Sequence, residues 1–274
     1  DRQVVDLAAN GTASTKLTAS NLPVGTHHFT IRLDQPDPLL LDNERYATVV
    51  AREQQPTLIV TSDAAMGELL RLIVDPFSEP QNAGLVDDIR YVQLSQAEMA
   101  RYKVVCLYDP PSLSKMVAKR IEEHVRQGGG LLNILGPSLA GVTPAQLQDT
   151  FGELLPTKVA ANGADGAGNK PLEPISRTAR SAFVIPVALT HPVFAELSVA
   201  ADQVPWNLFP VFKSWPLSPI SENASVLMKL NEGELPILTS HAVGGGRVLT
   251  LTTPIPEPEA ESPGEQWNEL WIAS

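Results

Sequence analysis

One cysteine, Cys106, is all that the chain carries in 274 residues. A single thiol excludes an internal disulfide and a cysteine-rich metal site. Basic residues are few and scattered: 20 Lys and Arg stand against 31 Asp and Glu, a formal net charge of −11, with no basic cluster. That balance argues against nucleic acid and anionic membrane surfaces as partners. No apolar run approaches the ~20 residues that a membrane-spanning helix needs, and no segment repeats. Gly128-Gly129-Gly130 and Gly244-Gly245-Gly246 each lead into a predicted strand, whereas a phosphate cradle has its glycines opening a helix. His27-His28 has no spaced set of further His, Asp or Glu around it, so no metal site is read and no cofactor is expected.

What is present is an α/β pattern. Lys103–Leu107 is a short, β-branched apolar run, suited to a strand buried on both faces. Asp109-Pro110-Pro111 ends it, and Ser112 or Ser114 is placed to cap a helix. Leu113, Met116, Val117, Ile121 and Val125 recur at steps of three and four, one apolar stripe facing a sheet. Gly128–Gly130 stops that helix, and Leu131–Leu135 is a second buried strand. Strand, helix and strand in about 30 residues make a parallel βαβ unit.

Residues 1–53 read as β-rich. Four short runs (Val4–Ala8, Thr15–Thr18, His27–Leu33 and Arg45–Ala51) fit the end of an immunoglobulin-like domain or a small sheet. Gln54-Gln55-Pro56 is the expected linker, and 54–274 the α/β domain. Thr57–Thr61 is its first strand, Met66, Leu69, Leu70 and Ile73 a helical stripe, and Ile89–Leu94 a second strand. Pro144–Leu155 is expected to be helical, with Leu147, Phe151, Leu154 and Leu155 as its apolar face. Ala160–Lys170 is small and polar and predicts a mobile loop. Phe183–Val187 predicts a strand, and Asn231–Glu234 predicts the turn of a hairpin joining Val226–Leu230 to Leu235–Ser240. Arg247–Thr253 is the last strand. Trp206, Phe209, Phe212 and Trp215 lie among prolines as an irregular apolar layer. Trp267 and Trp271, four apart, would share a helix face.

Several phrases in this order resemble one family. Asp37–Tyr46 is similar to the end of the β-domain of bacterial BatA-like membrane proteins. Those proteins combine membrane-spanning helices, a von Willebrand factor A domain and a class I glutamine amidotransferase-like domain. Arg101–Val105 through Val125–Leu131 is similar to the middle of that amidotransferase-like domain. Glu234–Leu238, Gly245–Leu249 and Trp267-Asn268 are similar to its closing hairpin and tail. The resemblance implies a flavodoxin-like three-layer parallel sheet. It also implies a location in the cell envelope, as an extracytoplasmic domain of a membrane-anchored protein. Expected partners are other domains of that parent and other envelope proteins, with the membrane reached only through parts of the parent outside this sequence. The start at Asp1 and the end at Ser274 read as a piece of such a parent.

Active amidotransferases of this class hold a cysteine on a sharp strand-to-helix bend, flanked by glycines, with nearby amides forming an oxyanion hole. The matching stretch is Gly136-Pro137-Ser138-Leu139-Ala140-Gly141, with Ser138 at the bend in place of cysteine. The class's downstream His-x-Glu is missing, since Pro-Val follows His191 and Ala-Val follows His241. The catalytic candidates are thus Ser138 with His191 or His241, and Cys106. Asp63, Asp109 and Ser138 follow strands, where α/β folds bind ligands at the carboxyl ends. They are the candidate crevice, and Asp63 and Asp109 equally suit turn-forming roles. The reading carried forward is a non-catalytic amidotransferase-like domain that senses a ligand or docks a protein. The alternatives are a serine- or cysteine-dependent hydrolase or amidotransferase, and a carbohydrate-binding module by fold analogy with trehalose-utilisation-type domains.

Overall fold

Thr57–Thr61 is buried along its whole length in the computed structural model, because a strand covered by helices on both faces has no wet side. The structure describes residues 2–6, 11–19, 22–34, 43–51, 55–76, 85–157, 170–177, 181–195, 197, 204–217, 220–255 and 267–268. The chain divides into two compact units, Asp1–Gln54 and Gln55–Ser274.

In the first unit β1 (Gly25–Arg32) and β2 (Glu44–Ala51) form an antiparallel ribbon, Gly25 opposite Ala51 and Arg32 opposite Glu44. The Arg32–Glu44 ion pair at 2.6 Å closes one end. Four strands were expected and two form among the described residues. Val4–Asp6 and Thr15–Thr18 have β-type composition but no ladder. A strand makes no hydrogen bonds within itself, so a short run without a paired neighbour gains nothing by extending.

The second unit is α/β with a large mixed sheet and few helices. Its elements are β3 (Thr57–Thr61), α1 (Ala64–Val74), β4 (Val86–Arg90), β5 (Val104–Tyr108), α2 (Lys115–Arg126), β6 (Gly130–Ile134), α3 (Pro144–Phe151), β7 (Ile175–Ser176), β8 (Val184–Pro186), β9 (Lys213–Ser214), β10 (Ala224–Leu230), β11 (Pro236–Val243) and β12 (Gly246–Leu251). Eight strands lie in the order β4-β3-β5-β6-β12-β11-β10-β8, and β7 pairs with β9 separately. From β4 to β12 every pairing is parallel; from β12 to β8 every pairing is antiparallel. The expected parallel sheet is therefore only the first part of a mixed one. The reason is local. Gly233 and Glu234 turn the chain straight from β10 into β11, and Gly244 turns it from β11 into β12, all three with positive φ. Tight turns of this kind can only join antiparallel neighbours.

Alternation along the strands sorts the core. Leu58, Val60, Val105 and Leu107 pack with Val117, Ile121 and Val125 of α2. Ile59 and Cys106 pack with Met66 and Leu70 of α1 on the other face. Ser114 caps α2, its Oγ accepting the Val117 N–H at 3.4 Å. Gly128, at φ +103°, follows the helix and lets the chain reverse. The expected strand Ile89–Leu94 is instead the end of β4 followed by a tight turn, Tyr91–Gln93. The Gln93 side chain accepts the Arg90 N–H at 2.9 Å and folds the chain back before Leu94, which is buried. The predicted helix over Pro144–Leu155 is α3, capped by Thr143, plus a turn over Gly152–Leu154. Its four apolar residues are all buried. Trp267 is not helical: Asn268 beside it bridges to Val211 as extended backbone. Trp271, Ala160–Asn169 of the loop predicted over Ala160–Lys170 and Asp37–Asp42 of the first family phrase lie outside the described residues.

Candidate functional site

Parallel pairing sets β5 and β6 in register, Tyr108 beside Ile134, so both strands end at the same level. Asp109 follows β5 directly. Its N–H donates to the Ile134 carbonyl at 2.8 Å and its φ is +46°, a left-handed conformation that Asp tolerates better than most residues. After β6 the Leu135 N–H donates to the Leu251 carbonyl at 2.9 Å, and the chain bends through Gly136 into the turn Pro137–Leu139. A Cβ at Gly136 would lie 2.6 Å from Asp109 Oδ1. Glycine at that position is what admits the carboxylate.

Asp109 and Ser138 meet there. Oδ1 accepts the Ser138 N–H at 2.8 Å and Oδ2 accepts its hydroxyl at 2.9 Å. Burial pushes the Asp109 carboxyl above its ordinary range, while the two Ser138 hydrogen bonds pull against that shift. Trp215 closes the inner side: its indole N–H donates to the Gly136 carbonyl at 3.1 Å. Trp215 is 1% exposed and stacks at a tilt on Trp267, ring centres 5.7 Å apart.

The other sequence candidates lie elsewhere. Asp63 follows β3 at the same end of the sheet, but its carboxylate caps α1, accepting the Ala65 N–H at 2.8 Å. Cys106 is buried against Ile59 and Met66, and burial pushes its thiol up to about 12. At neutral pH it holds its proton, and the thiolate is the nucleophilic form. His241 is on β11 opposite Val248, which pairs with Leu131. That is three positions before Ile134, ~10 Å back toward the amino ends of the parallel strands. Its Nε2–H donates to the Glu153 carbonyl at 2.8 Å, and burial lowers its pKa. His191 caps the turn Pro192–Phe194, Nδ1 accepting the Val193 N–H at 3.3 Å. It follows β8, four strands from β6 and ~19 Å across the sheet. His27 and His28 meet the Pro23 carbonyl and the Thr48 hydroxyl, and no metal-binding cluster of His, Cys, Asp and Glu occurs among the described residues. The structure thus joins Asp109 to Ser138 and gives Ser138 no imidazole partner among the described residues. Trp215 was missed as a site residue; the only signal was an aromatic among prolines.

No protein-family model and no curated protein matches the chain. Among solved structures it is similar to a cytoplasmic protein from Salmonella typhimurium at 15% identity and a TM-score of 0.47, covering 83% of this chain and 84% of that one. A second Salmonella typhimurium cytoplasmic protein is 16% identical with a TM-score of 0.45, covering 87% and 88%. A ThuA-like protein from Bacteroides uniformis is 16% identical with a TM-score of 0.44, covering 74% and 84%. At these values none of them defines the chemistry of this chain. The expected place in the cell envelope, tethered to a membrane, is corrected: the first two neighbours are named cytoplasmic proteins, and among the described residues no helix is long and apolar enough to cross a membrane.

Proposed function

We propose that the Gln55–Ser274 unit is a flavodoxin-like, class I glutamine amidotransferase-like domain that binds rather than reacts. It serves as a ligand-sensing or protein-docking module for other domains of a larger protein. Numbered in chain order, the five parallel strands run 2-1-3-4-5 across the sheet, the doubly wound order of flavodoxin-like folds. The switch point of that order falls between the carboxyl ends of β3 and β5, beside Asp63 and Asp109, where folds of this order bind ligands.

The carrying observation is the direct hydrogen bond from Ser138 Oγ to Asp109 Oδ2 at 2.9 Å. In a working triad an imidazole stands between serine and carboxylate and takes the hydroxyl proton. A carboxylate touching the serine is far too weak a base for that step. The pair instead ties the bend to the end of β5. Purified protein incubated with L-glutamine, and separately with an activated ester, is expected to release no ammonia and no alcohol above buffer. Turnover that disappears in Ser138→Ala or Cys106→Ala would overturn the non-catalytic reading.

A further inference from the structure

Asn133 stands in the middle of β6, 0% exposed, and neither Nδ2 nor Oδ1 has a hydrogen-bond partner. Its register partner on β12 is Thr250, also 0% exposed, with Oγ1 likewise unpartnered. Strand alternation puts Asn133 on the same face as Leu131 and Leu135, and Thr250 on the same face as Val248. All three apolar neighbours belong to the cluster under α2 and α3. Three unpaired polar atoms therefore lie side by side beneath a dry helix layer. Buried groups of this kind are satisfied in folded proteins, by protein or by ordered water, because leaving them bare costs more than a normal hydrogen bond returns.

The chemistry of the row selects its occupant. An amide offers two donors and an acceptor, and a hydroxyl one donor and an acceptor. The row holds no charged side chain, so neither a cation nor an anion is matched. A bulky ligand has no way past the packed apolar cover. We infer that Asn133 and Thr250 form an internal binding site for an ordered water molecule, which links β6 to β12 through their side chains. Internal waters of this type make about three hydrogen bonds each and occur at about one per 27 residues. The site lies on the strand that feeds the Ser138 bend, and it holds that strand to β12 from below.

A high-resolution crystal structure of the unaltered protein tests the inference directly. The expected result is a solvent peak within ~2.7–3.2 Å of Thr250 Oγ1 and of an Asn133 amide atom. An empty gap, or an Asn133 amide turned to bond Thr250 Oγ1 itself, would overturn it. A double-mutant cycle with Asn133→Leu and Thr250→Val gives an independent check by chemical denaturation. One shared water makes the pair non-additive: after the first substitution the second should change the folding equilibrium several-fold less than it does alone. Additivity within about twofold counts against the site.

Discussion

Asp109 combines a backbone strain with a side-chain function. A non-glycine residue at positive φ costs of order 1–3 kcal/mol unless its surroundings hold it there, and here the two hydrogen bonds to Ser138 do so. Asparagine keeps both: its carbonyl accepts the Ser138 N–H and its amide donates to Ser138 Oγ. Asp109→Asn should therefore change stability by less than about 0.5 kcal/mol, whereas Asp109→Ala, which loses both bonds and keeps the φ, should cost about 2–3 kcal/mol in chemical denaturation. The carboxyl also predicts a sign with pH. Its pKa is raised on folding from the ordinary 3.8. The folded state binds the proton more tightly, so the stabilisation is complete below 3.8 and is lost as pH rises through the folded value. Asp109→Asn should remove that slope from a pH series of melts. Asp109 and Ser138 were legible as residues ending adjacent strands. Trp215 was not, because its bond to Gly136 joins positions 79 apart and no local pattern encodes it.

Individual elements were legible where one short segment decides them. Val117, Ile121 and Val125 of the α2 stripe, one of its two candidate caps and the two strands around it follow from spacing alone; Met116, expected in that stripe, is 64% exposed, and Leu113 precedes the helix. The missing strands near the amino end and the turn at Tyr91–Gln93 depend on partners, a ladder in one case and a Gln93 side chain in the other. Glycine runs were legible as turns but not as a packing device. Gly244, Gly245 and Gly246 press on the end of α2 and on Gly128–Gly129: a Cβ at Gly246 would sit 2.0 Å from the Val125 carbonyl and 2.2 Å from that of Gly129. Both obstacles are backbone and cannot rotate away. Gly246→Ala should therefore destabilise by more than 4 kcal/mol, roughly the range reserved for named severe defects, and give insoluble protein or a large drop in denaturation midpoint. Gly141→Ala is the control for backbone freedom without a clash, since no atom beyond its chain neighbours lies within 4 Å of its Cβ position.

Across the whole chain, composition and the βαβ unit were enough to place the second unit among α/β folds. They were not enough for the order of the strands. β12 is the last of the described strands yet lies beside β6; that pairing joins distant segments and leaves no periodic trace in either, whereas the β10–β11 hairpin beyond it was legible from its turn. The second unit has its own buried clusters on both sheet faces. Residues 55–274 expressed alone should accordingly melt cooperatively, with a midpoint within about 4 °C of the full chain, a shift equal to roughly 1 kcal/mol at this size. A broad, non-cooperative melt would show that the first 54 residues complete the core.

The indole over Gly136 has a spectroscopic consequence. Tryptophan emission moves to longer wavelength as its ring meets water, and Trp215 sits dry against the backbone of the bend. Anything that pries the bend open, whether a bound molecule or a docked domain, should redden and quench that light. The fold thus carries a fluorophore of its own against the backbone of the Gly136 bend.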